Sequence, residues 1–102
     1  MTGAEAAGTP VFLAISENCV KYHGGLEPIA LATLALARRA TVPASVHLDH
    51  AETEALVEEA IELGIPSVMF DGSRFSYAEN VERTAAVVAA AHERGVWVEA
   101  EL

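Results

Sequence analysis

The chain has 102 residues and is 52% apolar, which excludes a disordered protein and fits one domain of modest size. Its formal net charge is -9 and only six residues are Lys or Arg, which argues against nucleic acid or an anionic membrane as a partner. A single cysteine, Cys19, excludes an intrachain disulfide and fits a reducing compartment, so we expect a cytoplasmic protein. No apolar stretch approaches the roughly 18 residues of a membrane span.

The first half of the chain predicts one strand and one helix. We expect residues 1–8 to be disordered and residues 9–102 to form the folded domain. Pro10 to Ile15 is a short apolar run without helical period, which predicts a buried strand. Lys21 to Gly25 is expected to be a linker or a short turn. Apolar side chains at helical spacing then predict a helix over Leu26 to Ala40.

The second half alternates between strands and helices. Ser76 and Glu79 have the spacing of a capping box, which marks the start of the last helix. The predicted elements are a strand over Val42 to Asp49, an amphipathic helix that ends at Gly64, a strand over Ser67 to Asp71, a helix over Tyr77 to Arg94 and a strand over Val96 to Leu102.

The order βαβαβαβ is typical of an α/β fold with a parallel sheet. The final polar positions of successive strands are Ser16, Asp49, Asp71 and Glu101. Because the carboxyl ends of parallel strands meet at one rim, we expect the four side chains to gather there, as in a (β/α)8 barrel. A flavodoxin-like doubly wound sheet is the alternative fold.

The predicted second strand has a cluster of candidate functional side chains near its end. His47, Asp49 and His50 place three groups that bind metals or move protons within four residues. Alternation along a strand puts His47 and Asp49 on the face opposite to Val46 and Leu48. A neutral imidazole is a good ligand for Zn²⁺, and an adjacent carboxylate is placed to act as a base.

Three ordered stretches resemble the signature series of the class II ketose-bisphosphate aldolases, from about Thr9 to Leu102. These stretches are His47-Leu-Asp49-His50, Gly64-Ile-Pro-Ser-Val-Met-Phe-Asp71-Gly-Ser73 and Val98-Glu-Ala-Glu101-Leu102. The resemblance implies a portion of a TIM barrel, with about four parallel strands and three intervening helices. It also implies reversible cleavage of fructose or tagatose 1,6-bisphosphate to dihydroxyacetone phosphate and glyceraldehyde 3-phosphate, in glycolysis or carbohydrate metabolism.

The resemblance assigns roles to five residues. It implies that His50 binds a catalytic Zn²⁺ and that Asp49 moves the proton of the substrate's C4 hydroxyl. Asp71 and Glu101 would line a second metal position for a divalent or monovalent cation, and Ser16 would lie beside the phosphorylated sugar.

Two further residues have a structural alternative. His47 either supports the metal ligand from behind or packs inside the barrel. Glu99 is either a similar supporting residue or only a charge at the rim.

The residue inventory favours metal catalysis over a Schiff base. Cleavage of a carbon-carbon bond beside a ketone needs either an enamine on a lysine or a Lewis-acid metal. Lys21, the sole lysine, follows a strand in the predicted linker, where it serves the Schiff-base route poorly.

The resemblance also implies that the chain is incomplete as an enzyme. A TIM barrel needs about 250 residues, and the other two zinc-binding histidines of the family would lie downstream. Ala51 stands where glycine is common in the family. We expect the 102 residues alone to be inactive and the completed barrel to be a homodimer or homotetramer. A non-catalytic aldolase-like subunit and, less favoured, a metal-dependent hydrolase of phosphoesters are the alternative functions.

Overall fold

The structure is a computed structural model that describes residues 2–22 and 24–101, so the predicted strand position Leu102 and residue 23 of the predicted linker lie outside it. Within these ranges the elements are α1 (Thr2–Ala7), β1 (Val11–Ser16), α2 (Glu17–Tyr22), α3 (Leu26–Arg39), β2 (Ala44–Ala51), α4 (Glu54–Leu63), β3 (Ser67–Asp71), α5 (Tyr77–Glu93) and β4 (Trp97–Glu101). Four parallel strands form a single sheet in these residues. No helix among them is long and apolar enough to cross a membrane.

Helices α4 and α5 have capped ends. The Thr53 hydroxyl accepts a hydrogen bond from a first-turn amide of α4, and Gly64 ends that helix in a left-handed conformation, with φ of 93°. The Ser76 hydroxyl accepts from the backbone N–H of Glu79, as the predicted capping box requires. The Glu79 carboxylate pairs with Arg83 instead of returning to the cap, so half of the box forms.

One face of the sheet is covered by helices. Helix α3 packs on β1 and β2, α4 packs on β2 and β3, and α5 packs on β4. The buried cluster between them includes Ile15, Leu26, Ala30, Val46, Leu48, Val57, Ala60, Val68, Phe70, Val87 and Ala91. Burial of each large apolar side chain stabilises the fold by about 1.5 to 3 kcal/mol.

The opposite face of the sheet is bare at both edges. Phe12 on β1 is 69% exposed and Trp97 on β4 is 77% exposed, although both are large and apolar. Between the edges, His47 and Met69 are buried on this face. We call this surface, defined by Phe12, His47, Met69 and Trp97, the open sheet face.

The order of strands decides between the two predicted folds. The strands are neighbours in sequence order, β1-β2-β3-β4, and the helices that connect them pack on one face. A doubly wound sheet reverses its order and carries helices on both faces, so the flavodoxin-like alternative is wrong. The predicted portion of a (β/α)8 barrel is confirmed.

Two short helices differ from the sequence expectations. Helix α1 covers residues that were expected to be disordered, and the Glu5 carboxylate accepts hydrogen bonds from the N–H and hydroxyl of Thr41, at 2.8 and 3.1 Å. Helix α2 includes Lys21, where the linker was predicted to begin. It starts immediately after β1, because the Ser16 hydroxyl accepts from the backbone N–H of Cys19.

Candidate active site

The structure brings the predicted polar residues to one rim of the sheet. Ser16 is the register partner of Asp49 across β1 and β2, and Asp71 is the partner of Glu101 across β3 and β4. All four lie at or near the carboxyl ends of parallel strands, as the sequence predicts. His50 lies between the two pairs, near the end of β2.

His50 has an unusual backbone conformation. Its φ is 49°, in the left-handed region that residues other than glycine rarely adopt. The pairing of β2 with β3 is irregular at the same point, with a shift in register between Leu48 and Ala51. Such bulges redirect side chains beside active sites, and here the bulge turns His50 away from the alternation of the strand.

The His50 imidazole lies between two carboxylates. Its Nδ1 is 3.2 Å from Asp71 Oδ2, at hydrogen-bonding distance, and its Nε2 is 3.9 Å from Asp49 Oδ2. The hydrogen bond to Asp71 and then the charge of Asp49 raise the pKa of His50. The charge of Glu101 acts in the same direction, so this carboxylate also faces the imidazole.

Asp71 is oriented by its own turn. Its Oδ1 accepts hydrogen bonds from the hydroxyl and backbone N–H of Ser73, at 2.6 and 3.1 Å. These bonds, led by the hydroxyl, lower the pKa of Asp71, and the contact with His50 lowers it further. Asp71 therefore stabilises the turn before Gly72 with one oxygen and contacts the His50 imidazole with the other.

His47 lies behind Asp49, on the open sheet face. Its Nδ1 is 2.6 Å from the Ser67 hydroxyl oxygen, and its Nε2 is 3.8 Å from both Asp49 Oδ1 and Glu99 Oε1. The structure thus places His47 next to Asp49, the predicted catalytic carboxylate, and Glu99 next to His47.

A polar cavity of about 200 Å³ opens beside His50. Its walls are formed by Ser16, Glu17, Asn18, Lys21, His50, Glu52 and Asp71. A larger groove of about 450 Å³ lies between α5 and β4, but its walls are almost entirely apolar. The small cavity offers hydrogen-bonding groups to a polar ligand, whereas the large groove offers almost none.

Several residues around this cavity were not singled out from the sequence. Glu17 and Asn18 follow the first strand directly, so their position at a strand end was an available signal. Arg74 reaches the backbone of Glu52 from the loop after β3, and nothing in the sequence indicates that contact.

The side chains present fit part of a zinc site. With Nδ1 of His50 held by Asp71, Nε2 is free to bind a metal, and metal-bound histidines commonly have such a carboxylate partner. Across residues 2–22 and 24–101, no three His, Cys, Asp or Glu side chains are grouped so that they could hold a metal ion. The donor set in these residues therefore amounts to one imidazole with carboxylates around it.

Two known aldolases resemble this chain over its whole length. The chain is 44% identical over 102 residues to the fructose-bisphosphate aldolase of Thermus caldophilus and 40% identical over 104 residues to that of Geobacillus stearothermophilus. These matches include all of this chain but 33% and 36% of the two relatives, so the chain spans about a third of their length.

A solved structure also matches nearly the whole chain. The crystal structure of the YdjI aldolase from Escherichia coli K12 superposes with a TM-score of 0.88 at 32% identity, over 99% of this chain and 38% of that one. The family model of class II fructose-bisphosphate aldolase matches residues 1–102. The chain therefore belongs to the class II fructose-bisphosphate aldolase family.

Proposed function

We propose that the chain forms part of a zinc-dependent aldolase that reversibly cleaves fructose or tagatose 1,6-bisphosphate to dihydroxyacetone phosphate and glyceraldehyde 3-phosphate. The observation that carries the proposal is the placement of the His50 imidazole between Asp49 and Asp71 at the rim of a parallel sheet. Both relatives compared above are fructose-bisphosphate aldolases, which makes fructose 1,6-bisphosphate the first substrate to test. We also propose that the enzyme is a homo-oligomer, is located in the cytoplasm and acts in carbohydrate metabolism.

His50 would hold zinc through Nε2. The hydrogen bond between Nδ1 and Asp71 selects the tautomer with a free Nε2 and fixes the plane of the ring. When bound, zinc supplies a Lewis acid that polarises the ketone carbonyl of the substrate. Asp71 and Glu101, paired across β3 and β4, offer oxygen donors for a second cation.

Asp49 is placed to move the proton. As the bond between C3 and C4 breaks, its carboxylate accepts the proton of the C4 hydroxyl, and the aldehyde product forms at C4. The electron pair of the C3–C4 bond becomes the C2=C3 bond of an enediolate, with the negative charge on the former ketone oxygen. A proton from solvent at C3 then completes dihydroxyacetone phosphate. In the reverse direction Asp49 returns the proton. His47, 3.8 Å from Asp49, limits the orientations open to this carboxylate.

Ser16 and the cavity beside it are proposed to receive the substrate. The Ser16 oxygen accepts the bond that starts α2, so its hydroxyl proton is free to be donated into the cavity. Lys21, Asn18 and the Ser16 hydroxyl can donate to hydroxyl or phosphate oxygens, whereas the carboxylates of the cavity can only accept from hydroxyl groups.

A chimaeric enzyme tests the proposal. This chain replaces the matching third of the Thermus caldophilus aldolase, and zinc content and cleavage of fructose 1,6-bisphosphate are measured. We expect chelator-sensitive cleavage, and we expect the variant His50→Ala to lose zinc and cleavage together. Glu58→Ala on the exposed side of α4 is the matched control and should retain both.

The same experiment addresses the alternative function. A folded chimaera that binds no zinc and cleaves neither fructose nor tagatose bisphosphate would favour a non-catalytic aldolase-like subunit. Stoichiometric zinc that survives His50→Ala would show that the ligand lies elsewhere.

A further inference from the structure

Two charged side chains hold the backbone of Glu52 from opposite sides. The Glu17 carboxylate, at the start of α2, accepts a hydrogen bond from the backbone N–H of Glu52 at 3.1 Å. The Arg74 guanidinium, from the loop after β3, donates to the backbone carbonyl of Glu52 at 3.1 Å. Each contact joins a full charge to a backbone group of opposite partial charge, which makes it stronger than a bond between neutral groups.

Glu52 lies where regular structure gives no support. It follows the last residue of β2, Ala51, and precedes the first residue of α4, Glu54. Ala51 is fully buried in the core, whereas His50 immediately before it is in the left-handed region. A strained conformation of this kind persists only where the surrounding structure holds it.

Both holding side chains are themselves anchored. The Glu17 side chain is 15% exposed, and its second oxygen is 3.6 Å from the ammonium group of Lys21 one helical turn later. The Arg74 guanidinium lies over the Phe75 ring, 4.8 Å from the centroid. The two contacts reach Glu52 from the ends of β1 and β3, the strands on either side of β2 in the sheet.

We propose that Glu17 and Arg74 are positioning residues that hold the turn after β2 and thereby keep His50 in its left-handed conformation. Released from this conformation, the segment would continue as a regular strand and the imidazole would leave the space between Asp71 and Asp49. The consequence for metal binding rests on the proposed function of His50, whereas the consequence for the backbone does not.

The backbone consequence is tested by NMR on the isotopically labelled, metal-free chimaeric aldolase, in which this chain is held in a complete barrel. In Glu17→Ala we expect the Cα shift and three-bond coupling of His50 to move from left-handed towards extended values. We also expect the Glu52 amide to exchange with solvent at least about tenfold faster. Glu17→Gln keeps an oxygen acceptor and should recover most of both signals, and Arg74→Ala should move them in the same direction as Glu17→Ala.

Glu58→Ala is the matched control, because it removes an exposed carboxylate from α4, the helix that follows the same turn. It should leave both signals unchanged. Unchanged His50 shifts and unchanged Glu52 exchange in Glu17→Ala, with the α5 and β4 resonances intact, would overturn the proposal whatever the chain does with zinc.

The metal consequence is measured by adding ZnCl₂ and following the His50 ring resonances. We expect Glu17→Ala to weaken zinc binding by the chimaeric aldolase by about tenfold or more, in the range of residues that orient metal ligands, and Glu58→Ala to leave it unchanged. If zinc does not shift the His50 resonances of the parent chimaera, the assignment of His50 as a ligand fails, while the backbone result still decides the role of Glu17. Equal zinc affinity in the parent chimaera and Glu17→Ala would refute the metal part of the proposal.

Discussion

The position of His50 depends on one backbone angle that no local sequence pattern predicts. The motif His47-Leu48-Asp49-His50 predicts a cluster of imidazole and carboxylate groups at a strand end, and the structure places them there. Strict alternation would put His50 on the same side as Leu48, towards the helices. The bulge turns it to the rim instead, and its supports come from residues far apart in sequence. Such long-range contacts have no local sequence signal.

The contact between His50 and Asp71 gives a pH-dependent prediction. In the metal-free chain His50 should titrate above its usual pKa of about 6.5, because Asp71 and Asp49 favour the protonated ring. The resulting stabilisation is fully present below about pH 6.5 and is lost as the pH rises through the folded-state pKa. The contribution of Asp71 to stability depends on pH in the opposite direction. Its pKa is lowered, so its contribution is lost as the pH falls through that lowered value.

Asp71→Asn should therefore bring the pKa of His50 back towards 6.5, as measured by NMR titration of the ring protons. Glu27→Gln, an exposed charge on α3, is the control and should leave the titration unchanged. An unaltered pKa of His50 in Asp71→Asn would mean that the hydrogen bond does not form in solution.

Asp49 gives a second prediction at the residue scale. In the chimaeric aldolase, Asp49→Ala should lower kcat by at least about two orders of magnitude while zinc stays bound, as expected for loss of a general acid and base. The measurement pairs steady-state kinetics with metal analysis. A kcat close to that of the parent would remove Asp49 from the mechanism.

At the scale of elements, the strands and the long helices were predictable, and the two short helices were not. The bounds of β3 are the predicted ones, and α3, α4 and α5 end within a residue of their predicted ends. Their apolar spacing, caps and terminal glycines are local signals. Helices α1 and α2 have six residues each, too few to show a helical period, and Ser16 serves both as a strand end and as a helix cap.

Gly72 joins β3 to α5 without room for a side chain. A Cβ at this position would overlap the side-chain oxygen of Asn80 and lie 3.3 Å from the Phe70 ring. Asn80 cannot withdraw freely, since its amide donates to the backbone carbonyl of Glu101 and its oxygen accepts from Thr84. The bond from Asn80 to Glu101 also ties α5 to the end of β4.

Gly72→Ala should therefore lower the free energy of unfolding by about 1 to 3 kcal/mol, measured by urea denaturation. Gly3→Ala is the control, because it lies in α1 with nothing near its missing side chain, and it should be neutral or slightly stabilising. Equal midpoints for the two variants would show that the segment around Gly72 adapts without cost.

At the scale of the molecule, the sheet has two unpaired edges and one uncovered face within residues 2–22 and 24–101. Strand order and helix placement follow from the alternating sequence pattern, whereas the number of strands that close a barrel cannot be read from these four. Edge strands β1 and β4 carry free backbone groups, and the open sheet face exposes Phe12 and Trp97. These surfaces favour association with further strands.

We predict that the 102 residues alone do not catalyse aldol cleavage. One imidazole among carboxylates does not supply the three protein ligands that a catalytic zinc typically needs, and the uncovered sheet does not hold substrate rigidly. Purified chain should elute as an oligomer or aggregate and produce no chelator-sensitive triose phosphate. Chelator-sensitive cleavage of fructose 1,6-bisphosphate by this polypeptide would mean that self-association completes the site.

Trp97 is the only tryptophan of the chain, and it lies on the open sheet face with 77% of its surface exposed. An indole in water emits at longer wavelength than one in an apolar environment. Strands added at the edges of the sheet would close a barrel over this face, enclose the ring and shift its emission to the blue. The chain has no second tryptophan whose emission would overlap with this signal. The protein therefore carries its own optical reporter of barrel closure, which needs neither substrate nor metal to be read.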